Sequence, residues 1–63
     1  MSREDRAREL IQSLRGMNRN DAIDEINNLI SGFQASKRNS NYGPEMNEIE
    51  RALRILYDAR DNL

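Results

Sequence analysis

The sequence predicts an all-α fold of three helices in a single domain spanning 1–63. Two observations carry that prediction. Apolar residues recur every three or four positions in three separate stretches, which is the period of a helix with one side buried. Between the stretches stand Gly16, two asparagines and a Gly43-Pro44 pair, residues that end one helix and begin the next.

The first helix is expected over about 2–15. Ser2 followed by Asp5 has the spacing of a capping box, and Glu4 and Asp5 place negative charge at the positive end of the helix dipole. Ala7, Leu10, Ile11 and Leu14 follow the i, i+3, i+4, i+7 rule and make one stripe roughly 100° wide. Glu4 and Arg8 are four apart in the favourable order, and Gly16 is placed to stop the helix.

The second helix is expected over about 20–36. Asn18 or Asn20 can cap it, and Asp21, Asp24 and Glu25 load its first turns with negative charge. Ile23, Ile26, Leu29, Ile30 and Phe33 define a stripe roughly 120° wide. Gly32 lies inside this helix, costs about 1 kcal/mol relative to alanine, and would permit close approach by a neighbour. From Ser36 to Gly43 the pattern lapses, which predicts a long connection able to carry a contact.

The third helix, about 44–62, starts at Pro44, well placed for a first turn. It is the most apolar of the three, its apolar side chains covering roughly 200° of the circumference where about 100° suffices to pack on one neighbour. Met46, Ile49, Leu53, Leu56 and Leu63, with Tyr57 alongside, form a broad seam expected to meet the first two helices. Ala52, Ile55 and Ala59 form a second, narrower seam whose small residues would let another helix come close. Glu50 with Arg54, Arg54 with Asp58, and Glu48 with Arg51 have the spacing of pairs within the helix. The expected architecture is a dominant hairpin of the second and third helices with the first packed on it.

Composition narrows function more than it assigns it. Cysteine and histidine are both absent from the 63 residues, so there is no disulfide, no thiolate nucleophile and no thiolate or imidazole metal ligand. No spacing singles out a nucleophile with its base, so no enzyme, cofactor or small-molecule ligand is expected. Carboxylates at Asp21, Asp24, Glu25, Glu45 and Glu48 have the composition of a hard-metal cluster, but acidic first turns are what the helix dipole favours, so no metal is assigned. Net charge is -1, with both signs mixed along the chain, which signals neither nucleic acid nor membrane. No apolar run reaches the roughly 18 residues of a membrane span and the first residues lack a signal peptide's apolar core, so a cytoplasmic location is expected.

What remains is interaction. A chain this short is near the lower limit for a stable core, and association with a second copy or a partner is the available support, so a symmetric homodimer is expected. The Ala52, Ile55, Ala59 seam is the first candidate contact; Lys37, Arg38 and Tyr42, in or beside the long connection, are the second. The function expected is that of a non-catalytic adaptor, inhibitor or regulatory subunit that docks a helical face on a larger protein. Chains of this kind are common among mobile-element and phage products, a prior from size alone. The competing class is a small nucleic-acid-binding regulator using Arg19, Lys37 and Arg38. A helix-turn-helix from Leu10 to Ile26 is disfavoured, because its second helix would present Asp21, Asp24 and Glu25 to phosphates.

Overall fold

A computed structural model describes residues 2–63; Met1 lies outside the described residues. Three α-helices are present, α1 (Arg3–Ser13), α2 (Arg19–Asn39) and α3 (Gly43–Asp61), with a short 3-10 turn at Leu14–Gly16, and no strand occurs among the described residues. The all-α class is therefore as the sequence reads.

Each helix begins where its capping chemistry places it. The Asp5 amide donates to Ser2 Oγ at 3.1 Å, the forward half of the expected capping box. At the second start the cap is Asn18: its Oδ1 accepts from the Asp21 amide at 2.9 Å while its Nδ2 donates to the Asp21 carboxylate at 3.1 Å. Tyr42 precedes α3 without a side-chain cap, and Pro44 occupies the first turn, where its missing N–H is no loss.

Two boundaries differ from expectation. Gly16 does not close α1 by a left-handed turn, because no glycine has positive φ. The chain instead tightens through Leu14–Gly16, with the Met17 amide donating to the Leu14 carbonyl at 3.0 Å. The second helix also runs on to Asn39, so the connection is only Ser40, Asn41 and Tyr42. Lys37 and Arg38 lie in its last turn, where cations complement the dipole, and polar residues extend a helix without any apolar period to reveal it.

The inter-helix contacts fix the order. Arg3 and Glu4, at the start of α1, meet Glu45, Glu48 and Arg51 near the start of α3, so these helices run parallel. Lys37 meets Glu50 and Asn27 meets Arg60, so α2 runs antiparallel to α3. The result is an up-down-up bundle measuring 37 × 18 × 17 Å. Its core is Ala7 and Leu14; Ala22, Ile26, Ile30 and Phe33; Ile49, Ala52, Leu53 and Leu56. α3 packs on both other helices, while α1 and α2 touch each other little.

Candidate interaction surface

The narrow seam of α3 is where the sequence placed a partner, and the structure places α1 beside it. Glu48 and Arg51 lie two turns and one turn before Ile55 on the same flank, and both reach across to α1. The Arg3 amide, one of the unpaired donors at the helix start, gives its proton to Glu48 Oε1 at 2.9 Å. The Arg3 guanidinium holds Glu45 at 3.2 Å and Glu48 at 3.6 Å, and Arg51 Nε meets Glu4 at 2.9 Å. Ala52 is consequently enclosed, at 0 % exposure, and offers no surface to a second molecule. That corrects its assignment as a contact residue: its small side chain serves the packing of this chain's own helices. Ile55 and Ala59 are half-buried against the same core.

The pairs expected within α3 are replaced by pairs between helices. Glu48, Glu50 and Arg51 are engaged by Arg3, Lys37 and Glu4, and none of the Glu50–Arg54, Arg54–Asp58 or Glu48–Arg51 pairs forms among the described residues. A long side chain on the flank of a helix reaches a neighbouring helix as readily as its own next turn. The expected Glu4–Arg8 pair does form, at 3.7 Å.

At the other end of α2 the second group of candidates is split by its contacts. Lys37 Nζ is held by Glu50 at 3.1 Å, whereas Arg38 is exposed. Tyr42 is 64 % exposed, the most exposed large apolar side chain of the described residues. Its backbone is nonetheless fixed: the carbonyl accepts from the Met46 amide at 3.0 Å, and the amide donates to Ser40 Oγ at 3.4 Å. A ring on a held backbone loses little further freedom on docking. Arg19 is not part of this group, because it begins α2 and stands about 27 Å from Lys37 along the helix at 1.5 Å per residue.

A polar seam between α2 and α3 was not anticipated from the sequence. Gln34 Nε2 donates to Tyr57 Oη at 2.9 Å, Arg60 donates to Asn27 Oδ1 at 2.8 Å, and the Arg60 guanidinium lies 5.3 Å from the Tyr57 ring centre. These partners come from two helices, so no local spacing announces them.

The chemistry of the described surface is that of solvated helices. No polar or charged side chain is buried among the described residues, and no group of three or more Asp or Glu is gathered as a metal site would require. No helix among them is long and apolar enough to cross a membrane. Comparison with family models, with curated proteins and with solved structures returns no match for this chain.

Proposed function

We propose that this chain is a non-catalytic protein–protein interaction module, a small adaptor, inhibitor or regulatory subunit that docks on a larger protein in the cytoplasm. The observation that supports it is Tyr42: a 64 % exposed aromatic ring on a hydrogen-bonded backbone, four residues from the exposed Arg38. Tyr and Arg dominate the energetics of protein interfaces, where an aromatic anchor fills a pocket and guanidinium forks a carboxylate. The partner surface that fits is an apolar pocket beside an acidic residue. Occlusion of that surface is the mechanism a chain of this size permits.

The test is capture from the cells that make the protein, using the wild-type chain, Tyr42→Ala and Arg38→Glu. One protein retained by the wild type and lost with either variant, at unchanged helical circular dichroism, supports the proposal. Retention unaffected by both variants overturns it. Binding to single-stranded RNA that weakens steeply with salt also overturns it, since such a slope is the mark of phosphate contact.

A further inference from the structure

The join between α1 and α2 is a helix interrupted for two residues. Ser13 and Leu14 keep right-handed helical angles, and Leu14–Gly16 form the 3-10 turn. Only Met17 (φ -104°, ψ 152°) and Asn18 (φ -71°, ψ 164°) are extended before α2 begins. No residue here has positive φ, and a Cβ built on Gly16 meets nothing within 4 Å, so neither a special backbone conformation nor packing at Gly16 fixes the turn. It is held by the Asn18 cap on the Asp21 amide and by the Met17 amide on the Leu14 carbonyl. Beyond it, α1 packs mostly on α3, although α2 is its neighbour in the sequence. Its hold is Ala7, Leu14 in the turn, and the pairs of Arg3 with Glu45 and Glu48 and of Glu4 with Arg51. None of those contacts requires α1 and α3 to belong to one molecule.

We infer that Met17 and Asn18 are a hinge through which two copies of this chain exchange α1, each copy's α1 docking on the α3 of the other. Rotation of ψ at these two residues into the helical range joins α1 to α2, and each residue so added gains a helical hydrogen bond. The joined helix, Arg3 to Asn39, is about 55 Å long at 1.5 Å per residue, against 37 Å for the closed molecule, so α1 then projects past the end of its own α3. A second copy restores what α1 has left. A two-fold axis at the hinge sets the two long helices antiparallel, and α1 of each copy then runs parallel to α3 of the other, the sense it has on its own α3 in the closed chain. The contacts made are those already seen: Arg3 on Glu45 and Glu48, Glu4 on Arg51, and Ala7 in the core. Because they are the same within and between chains, the dimer forms near the effective concentration of a short tether, about 1 mM, or below it where the joined helix adds stability.

The inference is separate from the docking end at Tyr42 and stands or falls by other measurements. In sedimentation equilibrium up to about 1 mM the wild-type chain gains dimer, and Asn18→Ala, which removes the cap and favours a continuous helix, tightens it by about tenfold or more. Arg19→Pro stays monomeric at unchanged helical circular dichroism. Proline suits the first position of α2, keeps Asn18 extended, and would break a helix that ran through the hinge. Mixing tells exchange from any other association. Glu4→Arg and Arg51→Glu each set like charges against each other in the closed chain, whereas a mixed dimer with exchanged helices pairs opposite charges at both sites. The equimolar mixture of these two variants therefore holds about tenfold more dimer than either alone. A wild-type chain that stays monomeric at about 1 mM overturns the inference. So does a dimer that survives Arg19→Pro, or a mixture no richer in dimer than its components.

Discussion

Leu53 and Asn18 show what a single side chain contributes here. Leu53 is 5 % exposed, in the stripe with Ile49 and Leu56, so Leu53→Ala removes buried methyl groups and leaves a cavity that the neighbours close only in part. The expected cost is about 2 to 5 kcal/mol, read as a lower urea midpoint; a near-neutral result would place Leu53 outside the core. Asn18 is exposed, and its contribution is the cap of α2 alone. Asn18→Ala should cost about 1 kcal/mol, and Asn18→Ser, which keeps an acceptor for the Asp21 amide without setting a second carboxylate against that of Asp21, far less. A similar loss for both would show that the cap is not what Asn18 supplies. Leu53 is legible in the sequence through its period, whereas the cap is legible only as one of two asparagines, Asn18 or Asn20, ahead of an acidic turn. Ala52 was legible only as a small residue on an over-apolar helix, since spacing does not say whether the neighbour it admits belongs to the same chain.

At the scale of the elements, the helices differ in how they are held. α2 and α3 each bury four apolar residues, whereas α1 buries Ala7 alone, with Leu14 in the turn that follows it, and is tied down by Arg3 and Glu4 at its start. Those ion pairs join partly exposed groups, so each is worth at most about 1 kcal/mol and is screened by salt. α1 is therefore expected to open locally before α2 and α3 do. In native-state hydrogen exchange its amides should exchange about tenfold or more faster than those of Ala52 to Leu56, and the gap should widen in high salt. Uniform protection across the three helices would mean that α1 belongs to the same cooperative unit. The strength of α1's docking could not be read from the sequence, because its ion pairs lie more than 40 positions apart in the chain. The end of α2 is hidden in the sequence for a different reason. Lys37, Arg38 and Asn39 face solvent or another helix, and a polar turn leaves no apolar period to count.

For the molecule as a whole, burial decides how much stability one chain can reach. The surface exposed is 4452 Å², against about 4,200 Å² for a compact monomer of 7.4 kDa, so this chain is folded about as tightly as its mass allows. Relative to an unfolded chain of about 10,700 Å² it conceals about 58 %, the share typical of the smallest self-sufficient domains. Stability should accordingly fall at the low end, about 3 to 9 kcal/mol for 63 residues. The urea dependence follows from the same surface. So little area exposed on unfolding predicts a slope of about 1 kcal/mol per molar urea at dilute concentration, the same by circular dichroism and by tyrosine fluorescence. A midpoint that rises with protein concentration would show a second copy binding the folded chain, which adds to its stability by mass action. A dilute-solution slope well above that value would mean that more surface is buried than one chain supplies, and that association persists at the lowest concentration measured. A midpoint independent of concentration up to about 1 mM would instead show a chain that stands on its own core, with Ile26, Ile49 and Leu56 at its centre.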